Sequence, residues 1–143
     1  MIPSWLIFAL LSAFSASLVA IFGKIGLRGL DSTLATTVRA VVMTIFLLLV
    51  VLVQRRFLEL KEIVLNSKAL FYIILSGVAG ALSWLFYFLA LKFGKVSQVV
   101  PIDRLSVIFA LVLAFLIFGE KLSLRAIIGA VFIVVGGILV ALG

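Results

Sequence analysis

The chain has no cysteine and no histidine. The first absence removes disulfides, thiol nucleophiles and thiolate metal sites. The second removes serine–histidine triads and histidine-ligated zinc or haem. Carboxylates are scarce as well: Asp and Glu together number 5 in 143 residues and are scattered along the chain. No catalytic set and no metal centre can be assembled from them, so neither enzymatic activity nor a cofactor is expected. Charged residues of both signs make up 12%, against about 25% in an average soluble domain.

What fills the chain instead is apolar: 66% of residues by the AVILMFWYC count, with a mean hydropathy of +1.50. A water-soluble domain of this length cannot hide so much apolar surface, so a bilayer is the natural solvent. The net charge is +7, from 12 Lys and Arg against 5 Asp and Glu. In a membrane setting that excess implies basic loops facing anionic headgroups, and no nucleic-acid partner is expected. Met1-Ile2-Pro3-Ser4 places no basic side chain before the apolar run. No small-residue cleavage site is followed by a polar region, so the whole chain is read as mature protein.

Roughly 20 apolar residues make a helix that crosses a hydrocarbon core of about 30 Å. Five such runs follow one another: about Trp5–Phe22, Leu34–Val53, Ala69–Leu91, Val96–Phe118 and Leu124–Leu142. They are continuous and do not alternate apolar with polar, which indicates helices, not barrel strands. The expected fold is therefore all-α, a single five-helix membrane domain over residues 1–143 with no extramembrane domain. The one long connection, Gln54–Lys68, has an apolar and charged centre from Phe57 to Val64 that suits one or two amphipathic turns on the membrane surface.

An odd number of spans puts the termini on opposite sides. Loop Lys and Arg give six on the N-terminal side (Arg55, Arg56, Lys61, Lys68, Lys121, Arg125) and four on the other (Lys24, Arg28, Lys92, Lys95). Adding Arg39 and Arg104, which lie inside spans near the C-terminal side, makes six against six. The positive-inside rule then gives only a slight preference for an N-in orientation, and insertion both ways is open.

A charge at the centre of a span costs about 2.5–3.5 kcal/mol on insertion scales, so it needs a partner or a job. Arg39, Asp103 and Arg104 are such charges, and topology places them in one leaflet with Lys24 at its edge. Snorkelling to headgroups remains open for Arg39. It does not serve Asp103, whose side chain is short, so Arg39 or Lys24 is the expected partner. Pro101, just before this pair, removes one helix hydrogen bond and is a candidate kink. Ser97 shares a face with Pro101 and Arg104. In the third span Ser76, Gly80, Ser83 and Tyr87 share a face with Trp84 beside it, and the two aromatic residues are candidates for stacking on an organic substrate. The fifth span carries a stripe of Ala126, Ala130, Gly137 and Ala141, a small-residue packing seam. Glu120, just before that span, suits a cap at its positive helix end.

Two stretches together carry a family resemblance. Ala90-Leu91-Lys92-Phe93-Gly94-Lys95-Val96-Ser97 leads into Val100-Pro101 and then to Phe118-Gly119-Glu120-Lys121-Leu122-Ser123, followed by Ile127-Ile128-Gly129-Ala130 and Gly136-Gly137-Ile138-Leu139-Val140. With Arg39-Ala40 near the start of the second span, this resembles the EamA-type domain of the drug/metabolite transporter superfamily, in its half-length, five-span bacterial and archaeal branch. The resemblance implies a secondary transporter, an exporter or exchanger of small metabolites or drugs in the inner (plasma) membrane. It also implies a homodimer or a heterodimer with another five-span chain, since such transporters set their site between inverted repeats. Arg39, Asp103, Arg104, Trp84, Tyr87, Lys24 and Ser97 are the expected substrate-binding residues, with Asp103 the candidate proton carrier. A non-transporting subunit of a larger complex and a flippase for lipid-linked substrates are the alternatives.

Overall fold

The computed structural model describes residues 3–143. Among them the regular structure is helical throughout. Five helices are long and apolar enough to cross a membrane. The first is α1 (Ser4–Gly26) and the second α2 (Ser32–Val53). A 3₁₀ turn (Phe57–Glu59) and the short α3 (Leu60–Leu65) fill the long connection. The third span is α4 (Ser67–Phe93). The fourth is divided into α5 (Val96–Asp103) and α6 (Ser106–Phe118), and the fifth is α7 (Leu124–Leu142).

Local chemistry sets the ends of these helices. Asp31 caps α2, its Oδ1 accepting the N–H groups of Thr33 at 2.9 Å and Leu34 at 3.0 Å. Those backbone donors, Leu34 foremost, hold the exposed carboxyl below its ordinary range. Asn66 Oδ1 accepts the Ala69 N–H at 3.1 Å at the start of α4. Gly119 ends α6 at φ 65°, a left-handed conformation that a side chain disfavours. The cap of α7 is Ser123, whose hydroxyl accepts the Ala126 N–H at 3.2 Å. That role falls three residues beyond Glu120, because the extended backbone at Ser123 leads directly into the helix. In the long connection Arg56 Nε donates to Glu59 Oε2 at 2.7 Å, which raises the Arg56 pKa and lowers that of Glu59.

The fourth span is interrupted below its proline. Pro101 has no N–H, so the Ser97 carbonyl lacks its usual donor one turn on. The Arg104 N–H still reaches the Val100 carbonyl, at 3.3 Å, but the Leu105 N–H turns to Ile102, at 3.0 Å. The helix therefore breaks at Arg104–Leu105, three residues after the proline, and resumes at Ser106.

Contacts group the chain into two compact units, one of Met1–Lys24 with Phe93–Gly143 and one of Ile25–Lys92. In the first, α5 packs on α7. The half-buried positions of α7 are Ala126, Ala130, Val134, Gly137 and Ala141, spaced by three or four residues on one face. A methyl group placed at Gly137 would stand 3.1 Å from the Pro101 carbonyl oxygen, so this glycine permits the close approach. In the second unit the buried residues are Leu27, in the turn before α2, Ser32 and Thr36 at the start of α2, and Phe88 and Leu91 at the end of α4. Most other large apolar side chains of the chain are exposed, as lipid-facing residues are.

Candidate functional site

Within the second unit, α2 and α4 line a cavity of about 540 Å³. From α2 come Thr36, Thr37, Arg39, Ala40, Met43, Thr44 and Leu47; from α4 come Gly77, Gly80, Ala81, Trp84 and Leu85. The spacing explains the geometry. Positions 36, 40, 43 and 47 lie on one face of α2, and 77, 80, 81 and 84 on one face of α4. Small residues on α4 leave the space open: a methyl group at Gly77 or Gly80 would meet nothing within 4 Å.

Arg39 is the only ionisable residue in this lining. Its guanidinium carbon lies 3.6 Å from the centroid of the Trp84 ring and 5.3 Å from that of Phe88. Trp84 in turn meets Tyr87 edge-on at 5.5 Å and Phe88 at 5.8 Å. Residues three and four apart on a helix share a face, so Trp84, Tyr87 and Phe88 form one aromatic group on α4. A guanidinium seated on an indole gains roughly 0.5–2 kcal/mol, more as water is excluded. The ring attracts the cation through its quadrupole, and the guanidinium keeps its fork of N–H donors as hydrogen-bonding capacity.

The threonines contribute little donor capacity. The hydroxyl of Thr36 donates to the Ser32 carbonyl at 2.7 Å, Thr37 to Thr33 at 2.9 Å and Thr44 to Ala40 at 2.9 Å. Each proton is thus spent on its own helix, and the oxygen lone pairs alone face outward. The cavity therefore offers one cation held on an aromatic ring, three weak acceptors and an apolar wall.

The other expected site residues belong to the first unit. Lys24 Nζ donates to the Gly94 carbonyl at 2.8 Å, a cation on the carbonyl just past the end of α4. Ser97, Asp103 and Arg104 are exposed on α5 and at its end, and make no side-chain hydrogen bond among the described residues. Arg104 ends α5, its backbone N–H directed at Val100 and Ile102. Pro101 presents its carbonyl to Gly137, as described above.

Residues 3–142 match the EamA-like transporter family. The chain belongs to that family. It is 38% identical over 141 residues to a Sinorhizobium sp protein named "Uncharacterized transporter in cobO 3'region", covering 99% of each chain. It is 35% identical over 86 residues to an uncharacterized protein of Methanocaldococcus jannaschii, covering 59% of this chain and 63% of that one. No solved structure matches. The family and the five apolar helices make this a multi-pass membrane protein of the drug/metabolite transporter kind, and they point away from an enzyme.

For an EamA-family chain, the structure brings Arg39, Trp84 and Tyr87 together in one unit. Charge reasoning looks for a carboxylate beside Arg39; the structure gives it an aromatic ring. Sequence reasoning missed Phe88, Thr36, Thr44, Met43 and Gly77. It grouped Ser76, Gly80, Ser83 and Tyr87 on one face of the third span with Trp84 beside it, whereas the cavity takes Gly77, Gly80, Ala81 and Trp84, with Ser76 and Ser83 exposed. The signal that finds the lining is the pairing of a hydroxyl-bearing stripe on α2 with a small-residue stripe ending in Trp84 on α4.

Proposed function

We propose that this protein is a secondary transporter that exports or exchanges small metabolites or drugs across the inner (plasma) membrane. The observation that carries the reading is the cavity between α2 and α4, with its single cation stacked on Trp84. A volume of about 540 Å³ lies within the range of about 300–1,000 Å³ common for small-molecule sites. Arg39 recognises a polar or anionic group, and Trp84, backed edge-on by Tyr87, supplies apolar contact. Asp103, Arg104 and Ser97, with Lys24 at their edge, form a second polar set on the substrate path. Asp103 is the intramembrane carboxylate, and it carries the coupling proton where transport is proton-linked.

The working unit is an antiparallel dimer of two five-span chains. Support comes from the odd number of spans and the nearly even Lys and Arg count on the two sides, which lets copies insert both ways. Reporters active only inside or only outside, fused after Gly143, test this. Signal from both is the expected result. Signal from one alone means a fixed orientation, which rules out the antiparallel homodimer and directs the search to a partner inserted the other way. Flux in proteoliposomes tests the transporter reading itself. A non-transporting subunit predicts that Arg39→Ala and Asp103→Asn alter assembly and leave no flux to lose.

A further inference from the structure

We infer that the substrate is a small organic anion, whose carboxylate or equivalent planar anionic group binds the edge of the Arg39 guanidinium while its apolar body lies along the α4 wall. The inference rests on the transporter reading and narrows it to a substrate class and a binding pose. Four observations converge on it.

The cavity lining holds one ionisable group, and that group is a permanent cation. A cationic substrate would meet repulsion there with no carboxylate in the lining to offset it. A neutral substrate could accept from the guanidinium but would leave its charge without a counter-charge in the lining. Next, the guanidinium carbon lies 3.6 Å over the Trp84 ring, a contact that anchors the cation at the cavity wall. A planar anion can take the N–H fork of a cation so anchored bidentately, with less side-chain freedom left to lose. The three threonine hydroxyls donate to their own helix, so they do not compete as donors for the anion. Finally, the space beyond the cation is bounded by Met43, Leu47, Gly77 and Ala81, which offer no charge and no side-chain donor. An apolar body fits that wall; a second charged group does not.

Trp84 is a built-in reporter of this pose. The chain holds two tryptophans, Trp5 and Trp84. Trp5 lies in α1, outside the unit that holds the cavity, so Trp5→Phe leaves Trp84 as the sole indole without touching the site. The experiment is a titration of full-length Trp5→Phe protein in phosphatidylcholine nanodiscs, read by Trp84 emission. The probes are cyclohexanecarboxylate, cyclohexylammonium and cyclohexanecarboxamide, which share one apolar body and do not absorb with tryptophan. A saturable emission change with the carboxylate is expected, and none with the ammonium. Affinity for the carboxylate should fall about tenfold in Arg39→Lys, which keeps the charge and loses the fork, and vanish in Arg39→Ala, with helicity by circular dichroism confirming that each variant is folded.

The carboxamide should bind at least about tenfold more weakly than the carboxylate; equal or tighter binding of the ammonium or of the carboxamide overturns the inference. So does a carboxylate response that survives Arg39→Ala, or the absence of any saturable response. Nanodiscs containing phosphatidylglycerol form a further arm. If that lipid alone produces the emission change and blocks the carboxylate, the anion in the cavity is a lipid headgroup and the small-molecule inference falls. The two readings fail separately: a protein that binds the carboxylate and moves no solute keeps this inference and loses the transporter reading, while one that transports organic cations does the reverse.

Discussion

Glycine serves opposite ends in the two units of this protein. On α7, Gly137 sits against the backbone of Pro101, and the missing side chain lets two helices close. On α4, Gly77 and Gly80 face open space, and the missing side chains keep a cavity from filling. Both are small residues at helical spacing in an apolar span, so composition alone makes them look alike. What separates them is the opposing surface. Against a backbone carbonyl a glycine is packing; against Met43, Thr44 and an arginine held away by its own aromatic partner, it is volume. A stripe of small residues in a membrane helix therefore states that something comes close or that something is left out. Only the facing residues decide which.

The sharpest break of this comparison is a valine at each position. Gly137→Val forces branched carbons toward the Pro101 carbonyl, which cannot swing aside as a flexible side chain would. Overpacking of this kind costs about 1–3 kcal/mol, so a lower melting temperature and reduced folded yield in detergent are expected. A first side-chain carbon at Gly77 or Gly80 meets nothing within 4 Å, so Gly77→Val and Gly80→Val should leave the melting temperature near that of the parent. Equal destabilisation at all three sites would mean that the faces of Gly77 and Gly80 are packed and not open.

Charge provides the next contrast. Arg39→Ala removes the only cation of the cavity, and substrate flux should drop by at least about tenfold, as for loss of a charge-assisted bidentate contact. Asp103→Asn, in the other unit, should leave binding at Trp84 intact and flatten the response of flux to an imposed pH gradient. Proteoliposome flux measured with and without the gradient separates the two. Identical losses in both variants would mean that the two units act on substrate as one site. A smaller effect is expected of Gly80→Val, which narrows the space and leaves the cation in place. It should weaken binding of bulky probes by several-fold, within the roughly 1–3 kcal/mol that a methylene-sized change in an apolar pocket produces, and spare small carboxylates.

How much of this was legible in the residues differs between the units. The five helices follow from continuous apolar runs, because a barrel strand would be short and alternate apolar with polar, and a helix is the other structure that satisfies the backbone in lipid. Arg39, Trp84 and Tyr87 stand out because a charge and large aromatics inside a span need an explanation. Their pairing did not stand out, since a search for a counter-ion passes over a ring. The lining of α4 was displaced by about one residue, and neighbouring residues point about 100° apart on a helix. A sequence states which faces exist; the rotation of a helix against its neighbour selects among them. The break of the fourth span was likewise displaced. The proline is visible, but the ladder fails three residues later, where the Leu105 N–H turns to Ile102.

The smallest predicted effect concerns the helix starts, where the two units again differ in kind. Asp31 caps α2 with a carboxylate, and Ser123 caps α7 with a neutral hydroxyl. The N–H donors of Leu34 and Thr33, assisted by the charge of Lys92, favour the ionised form of Asp31 and lower its pKa in the folded chain. A group whose pKa is lowered on folding stabilises the fold fully above its ordinary pKa and loses that contribution as pH falls through the lowered value. Acid should therefore loosen the first turn of α2 and leave that of α7 unchanged, since Ser123 has no proton to gain. Amide hydrogen exchange at Thr33, Leu34 and Ala126, corrected for its intrinsic pH dependence and compared between neutral pH and about pH 3, measures this. Protection should fall at Thr33 and Leu34 alone. Asp31→Asn should abolish the pH dependence, because the amide oxygen still accepts both donors but does not titrate, whereas Asp31→Ala should show the loosened state at every pH. Equal loosening at Ala126 would trace the effect to the whole fold and not to this carboxylate.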